Sequence, residues 1–368
     1  MTTLRDIANL SGVSTATVSR ALNSHPQVTE KTRAKVLRAA QSLGYSAAPA
    51  ETNTDVQRIA VVYPGPVWIG MHSPFDAALL RGLSQCMAEN DFEITLVDLR
   101  RRLRADESYA SWFRRRGISA AVLRSDDSTL HICERIAADG VPCVMLGERP
   151  ATHDVSYVSG ASKGGAREAV EHLISLGHTR IPICVNNVIT TDHRDRIEGW
   201  REALTAHGLE APESDLIQMP AALSNGVVLL RKLMSMTPRP TAVFVTDPML
   251  AVGLINDATL AGVRVPEDLS VVGFDDDDAR MMTVPKMSSV CQDAAALGRT
   301  AVKLLRQMID GAIQAPAQVR MDAWFEARES TSPPGEPRRE IKTGLAENPT
   351  ADADQGTPVR PLAGESDS

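Results

Sequence analysis

No run of about 18 apolar residues occurs anywhere in the 368-residue chain, so no segment reads as a membrane-spanning helix. The N-terminus places Arg5 and Asp6 in its first turn with no apolar core behind them, which argues against a secretion signal and for a cytoplasmic protein. The five cysteines, Cys86, Cys133, Cys143, Cys184 and Cys291, are scattered, odd in number and never spaced C-x-x-C. They read as buried, reduced thiols. Eight histidines include no H-E-x-x-H pair, so no metal site is expected. No nucleophile–base set emerges, which disfavours an enzyme. The glycine-rich stretch Ser159 to Gly165 lacks the G-x-x-x-x-G-K-[ST] order of a phosphate loop, and no cofactor is expected.

What the chain does have is concentrated in its first 45 residues. Leu4, Ile7, Ala8 and Leu10 recur at helical spacing, and Gly12 breaks the pattern as a C-terminal helix glycine. Ser14 is a suitable N-cap for a second helix with Val18, Ala21 and Leu22 on one face. Thr29 caps a third, with Val36, Leu37, Ala40 and Leu43 inward. Three short helices around a tight glycine turn form a helix-turn-helix, which places its second helix in the DNA major groove. The outer face of that helix offers Thr15, Ala16, Ser19 and Arg20. Arg20 can bond guanine O6 and N7 together, while the small Thr15 and Ala16 suit thymine methyls or close approach. Thr17, Ser19, Asn23 and Thr29 are candidate phosphate donors. The competing reading is a plain three-helix bundle with a polar surface. Charge favours the first: Arg5, Arg20, Lys31, Arg33, Lys35 and Arg38 outnumber Asp6 and Glu30, giving residues 1–45 a charge of +4 in a chain of −7.

Residues 46–58 have no apolar periodicity and read as a linker. From Ile59 to about residue 330, strand and helix signals alternate, and the pattern restarts near Lys163. Such alternation builds parallel sheets flanked by helices, here two similar subdomains. The predicted strands are Ile59–Tyr63, Glu93–Val97, Ala120–Leu123, Cys143–Leu146, Ile181–Val185, Ala242–Val245 and Ser270–Gly273. The predicted helices cover Phe75–Ala88, Leu130–Asp139, Lys163–Leu176, Arg196–His207, Met249–Ala261 and Leu297–Gly311. Residues 331–368 carry six prolines and no aromatic residue, so disorder is expected there.

The headpiece closely resembles the LacI/GalR (lactose/galactose repressor) family of bacterial transcription regulators. The resemblance rests on Leu4-Arg5-Asp6-Ile7-Ala8, on Gly12 to Arg20, on Leu22-Asn23, Val28-Thr29 and Thr32-Arg33, and on Leu43-Gly44-Tyr45. It continues through His172-Leu173, Leu176-Gly177-His178, Gly199-Trp200 and the stretch Val265 to Asp276. It implies an α/β clamshell like that of periplasmic binding proteins, with an effector between two lobes. It makes His172 and His178 structural. It assigns the effector to Phe75, Asp76, Arg196, Thr246, Asp275 and Gln292, with Asp275 accepting from hydroxyls and Arg196 as a donor fork. Asp247 and Asp275 also stand just beyond predicted strands, where ligands collect in open sheets, although an acid there also serves as a helix cap. Asp76, where relatives often carry an aromatic residue, points to a hydroxyl-rich ligand: a sugar, sugar acid or sugar phosphate. Trp68, in a loop longer than the family's usual one, is a candidate for stacking on a sugar ring or for packing on its own lobe.

The expected function is that of a homodimeric, effector-controlled repressor on a near-palindromic operator. A solute receptor on the same clamshell would not need the headpiece, and a sugar-pathway enzyme would need the missing nucleophile–base set. One departure stands out. No leucine occurs between Leu43 and Leu79, where the family carries a hinge leucine that wedges into the minor groove. A weaker operator kink is expected.

Overall fold

The computed structural model describes residues 3–22, 28–43, 57–63, 73–86, 89, 92–99, 107–126, 128–150, 154–275, 279–313 and 316–335. The linker from 44 to 56, Asn23, Trp68, Asp276 to Asp278 and the tail from 336 lie outside the described residues, as do the side chains of Leu4, Ser19, Leu22 and Leu37.

The headpiece is three helices, α1 (Leu4–Ser11), α2 (Thr15–Leu22) and α3 (Glu30–Ser42). Thr3 opens α1 through a reciprocal capping box with Asp6, and Gly12 ends it at φ +62°. Ser14 Oγ accepts the Thr17 N–H at 3.1 Å, and Thr29 Oγ1 accepts the Thr32 N–H at 3.3 Å. Ile7, Val18, Ala21, Val36 and Ala40 form the core. Leu10, expected inward, is 54% exposed. Position 11, one full turn after Ile7, faces inward instead, and the buried Ser11 hydroxyl donates to the Ile7 carbonyl at 2.6 Å.

The body comprises two six-stranded sheets. The first contains β1 (Gln57–Tyr63), β2 (Phe92–Asp98), β3 (Ile118–Leu123), β4 (Cys143–Leu146), β5 (Ser156–Ala161) and β11 (Gln318–Asp322). Their order is β11-β5-β4-β3-β1-β2. The second contains β6 (Ile183–Asn186), β7 (Leu216–Met219), β8 (Ala242–Val245), β9 (Ser270–Phe274), β10 (Ser288–Cys291) and β12 (Trp324–Glu326), in the order β12-β10-β9-β8-β6-β7. All pairings are parallel except β10 with β12. β4, β8 and β9 are buried along their whole length, as strands covered on both faces must be.

The chain crosses between lobes three times: after Ala161, between Cys291 and Ala294, and between Asp322 and Trp324. On the first lobe, α4 (Pro74–Gln85) packs against α12 (Ala294–Ile309), while α5 (Tyr109–Arg115) and α6 (Leu130–Ala138) cover the other face. On the second, α7 (Ser162–Ser175) packs against α8 (Thr191–Ala206), and α9 (Gly226–Ser235) against α10 (Pro248–Leu260); α11 (Ala279–Met282) lies beside α10.

Several boundaries move. β1 begins at Gln57, inside the segment read as linker. α8 begins at Thr191, five residues before the predicted Arg196, because Thr190 and His193 form a capping box. Residues 331–335, assigned to the tail, pack on the second lobe. There the buried His178 sits between Thr241 Oγ1 at 2.8 Å and the Ser332 carbonyl at 2.9 Å, and His172 meets Thr331 at 3.0 Å. Both histidines hold structure, and no group of three or more potential metal ligands occurs among the described residues. All five cysteines are buried, and none of them is in a disulfide. No helix of the described residues is long and apolar enough to cross a membrane.

Candidate functional site

Two places concentrate exposed or ligandable chemistry. The first is the outer face of α2. Thr15, Ala16 and Arg20 are exposed on a helix whose other side is fixed by Val18 and Ala21. Thr17 is half-buried, with its hydroxyl 2.8 Å from Ser14 Oγ, and Thr29 Oγ1 lies 2.9 Å from Thr32 Oγ1. These two hydroxyls therefore hold helix starts in the free protein. Asn23 and the Ser19 side chain lie outside the described residues.

The second place is a cavity of about 550 Å³ between the lobes. Strand order explains its position. In each sheet two neighbouring strands, β1 with β3 and β6 with β8, lead their connections away in opposite directions, and crevices open beyond their carboxyl ends. Tyr63 and Arg124 project from the first crevice, Asn186, Thr246 and Asp247 from the second, and the two lobes turn these ends toward one cavity. All six residues assigned to the effector from sequence line it: Phe75, Asp76, Arg196, Thr246, Asp275 and Gln292.

Their bonds differ from expectation in two cases. Arg196 is buried, its Nη1 donates to the Thr246 carbonyl at 2.5 Å, and its Nη2 meets Asp192. The guanidinium carbon lies over the Phe274 ring, 3.4 Å from its centroid. The fork is thus bonded within the protein, leaving a buried Nε without a partner. Thr246 turns its hydroxyl away from the cavity, to the Cys184 carbonyl at 3.1 Å. Asp275 stands at φ +81°, a left-handed conformation rare for a residue with a side chain. Gln292 holds its carboxylate, and the Asp275 N–H donates to the Val290 carbonyl at 2.8 Å.

Sequence reasoning missed Arg124, Tyr63, Asp192 and His193. Arg124 and Tyr63 end or directly follow β3 and β1, so the strand-end rule that singled out Asp247 and Asp275 reaches them too. Asp192 and His193 were hidden by the late start predicted for α8. Arg124 Nε donates to Asp76 Oδ1 at 2.7 Å, and Tyr63 Oη donates to the same oxygen at 3.4 Å. Burial works to lower the Arg124 pKa, but the Asp76 charge and hydrogen bond raise it on balance, so it stays cationic. Burial, with Asp76 beside it, raises the Tyr63 phenol to about 12.

In the second lobe, burial first and the Asp275 charge second push Asp247 up to about 7, against the opposing pull of Arg196 and two backbone N–H groups. Burial, helped by Arg196, lowers His193 to about 4, so it is neutral near pH 7. The described lining contains five carboxyl groups, of Asp76, Asp126, Asp192, Asp247 and Asp275, against the two guanidiniums of Arg124 and Arg196. Such a surface suits a neutral ligand rich in hydroxyls and repels anions.

Residues 3–47 match the family described as bacterial regulatory proteins, lacI family, and residues 170–331 match the periplasmic binding protein-like domain. The chain is 31% identical over 336 residues to the HTH-type transcriptional regulator CelR of Thermobifida fusca, covering 89% of this chain and 98% of that protein. The structure of a transcriptional regulator CelR–cellobiose complex is similar with a TM-score of 0.65 and 29% identity, over 90% of this chain and all of that one. A LacI family regulator from Enterococcus faecium with bound ribose gives a TM-score of 0.64 at 28% identity, over 75% of this chain and 99% of that one. With its helix-turn-helix, its two-lobed body and a relative matched along nearly its full length, the chain belongs to the lacI family of bacterial regulatory proteins.

Proposed function

We propose that this DNA-binding regulator is a homodimeric repressor whose operator affinity is set by a neutral sugar held between the lobes. The observation that carries this reading is the cavity itself, with its surplus of carboxylate acceptors over guanidinium donors at the strand ends. Acceptors suit the many O–H donors of a sugar, whereas a sugar acid or phosphate would add charge of the prevailing sign. The sugar-bound relatives point the same way.

Dimerisation is supported by an apolar surface on the second lobe. Val284, Met282 and Met281 are 84%, 79% and 40% exposed, and Val228 and Leu223 are 50% and 45% exposed. They sit on or beside α11 and on the α9 start with the turn before it, elements that flank α10. A second copy would cover them and bring two headpieces to two half-sites.

The reading is tested with the full chain. Calorimetric titration against neutral mono- and disaccharides, uronates and sugar phosphates is expected to find a neutral sugar as the tightest ligand. Fluorescence anisotropy on genomic fragments then measures operator affinity with and without that sugar. Arg20→Ala is expected to weaken operator binding by about 1–3 kcal/mol per half-site while sugar binding is retained. Preferred binding of an anion, or no effect of the sugar on operator affinity, would overturn the reading.

A further inference from the structure

The acid–guanidinium pair of the first lobe differs from that of the second in what it leaves open. Arg124 is held at two of its nitrogens. Nε donates to Asp76 Oδ1 at 2.7 Å, and Nη1 donates to the Leu146 carbonyl. Gly147 leaves room for it: φ there is +85°, and a Cβ would lie 2.4 Å from Nη1. Phe75 lies on one side, its ring centroid 5.5 Å from the guanidinium carbon. On the acid, both protein bonds, from Arg124 and from Tyr63, converge on Oδ1. Asp76 Oδ2 bonds none of the described residues, Arg124 has the Tyr63 hydroxyl as a further hydrogen-bond neighbour, and the Asp76 and Arg124 side chains both line the cavity. The Asp76 side chain is 7% exposed and that of Arg124 16%, so both are largely withdrawn from water. Arg196, by contrast, has both terminal nitrogens bonded within the protein.

The first lobe therefore presents one fixed acceptor beside one fixed donor. We propose that the Asp76–Arg124 ion pair is the specificity element of the cleft and reads two adjacent hydroxyls of the effector, one donating to Asp76 Oδ2 and the other accepting from Arg124 Nη2. This rests on the neutral-sugar reading above. A vicinal diol matches the pair because each hydroxyl both donates and accepts, and two neighbouring oxygens span a bidentate partner. A sugar lacking either hydroxyl leaves one largely buried charged group with an unmet bond, and discrimination is strong where a site is built to bond a missing hydroxyl. A ligand carboxylate fits poorly, because it would meet Asp76 as closely as Arg124.

The experiment is calorimetry on the full chain with the tightest-binding neutral sugar and its monodeoxy series. Wild type is compared with Arg124→Met, Arg124→Lys and Asp76→Asn, with unliganded melting temperature and operator binding as controls for folding. Two adjacent deoxy positions are expected to weaken wild-type binding by roughly ten- to a hundredfold each. Arg124→Met and Arg124→Lys are expected to lose a similar factor for the parent sugar and almost nothing further for the deoxy analogue at the Arg124 position. Asp76→Asn is expected to do the same for the neighbouring analogue. Equal losses for the parent and all analogues, full affinity in Arg124→Lys, or no adjacent pair in the wild-type deoxy series would overturn this inference and leave the sugar reading intact. A wild-type protein that binds no neutral sugar would overturn both.

Discussion

Asp247 has its charge state strongly altered by its position in the cavity. An aspartate in the unfolded chain ionises near 3.8, whereas burial and the adjacent Asp275 raise Asp247 to about 7 in the fold. Between those two values the folded protein holds a proton that the unfolded chain has released. The contribution is therefore fully present below about 3.8 and is lost as pH rises through about 7. Asp247→Asn mimics the protonated form. It is expected to raise the melting temperature more at pH 8 than at pH 5, by about 2–4 °C for each kcal/mol relieved, and to leave it near that of wild type only below about pH 3.8. Thermal scans of both proteins at the two pH values check this, and equal shifts at both would show that Asp247 ionises normally. His193 beside the same cavity works in the opposite sense. Burial lowers it to about 4, so its neutral form is favoured in the fold and its contribution is present above about 6.5 and lost as pH falls.

At the level of elements, legibility followed burial pattern. β4 and β8 were read at their observed limits because Cys143–Leu146 and Ala242–Val245 are unbroken apolar runs. β11 and β12 were missed because Gln-Val-Arg-Met-Asp and Trp-Phe-Glu lie at sheet edges and alternate or stay exposed, a pattern shared by loops. α9 was missed although its apolar residues recur, because its start at Gly226 carries no side-chain cap. The first turn of α8 was lost because Thr191 to Arg196 is wholly polar, its side chains being matched to partners in the other lobe and in the cavity instead of to an apolar layer. The interlobe partners, Glu148, Arg149 and Arg320, are distant in sequence, so that half of the site could not be read from spacing.

Helix packing gives a prediction of its own. α4 and α12 meet through Gly82 and Gly298: a Cβ on Gly82 would lie 1.9 Å from the Ala295 carbonyl oxygen, and one on Gly298 would lie 2.5 Å from that of Leu79. Neither can be relieved by rotating a side chain, since the obstacles are backbone. Gly82→Ala is expected to destabilise by about 1–3 kcal/mol or more through separation of the two helices, despite alanine's better helix propensity. Urea unfolding checks this, and a stability gain would show that the helices slide apart freely.

Across the body of the molecule, α8 meets both lobes and the cavity at once. Asp192 and Arg196 face the cavity, while Thr191 and Asp195 on the same two turns bind the first lobe. The buried Glu148 accepts the Thr191 N–H at 3.1 Å. Asp195 accepts two bonds from Arg149, each 2.7 Å, and a third of 2.7 Å from Arg320 on β11. A ligand that shifts Asp192 or Arg196 must shift Asp195 as well, because a helix moves as one body. In the proposed dimer, this would link effector contact to the angle between lobes and through it to the spacing of the two headpieces. Coupling between two sites requires an element whose arrangements both ligands bias, and this tie between lobes is the candidate tested below. Asp195→Asn keeps the shape but removes the charge that holds both arginines. It is expected to leave operator affinity in the absence of sugar within about threefold of wild type, as no headpiece residue is changed. The factor by which saturating sugar alters that affinity is expected to shrink by about 0.5–2 kcal/mol, or roughly two- to thirtyfold. The Arg149 and Arg320 side chains are 20% and 44% exposed, so raised salt is expected to shrink the wild-type factor in the same direction. Operator anisotropy with and without sugar, at low and high salt, measures both, and an unchanged factor in Asp195→Asn would place the coupling outside α8.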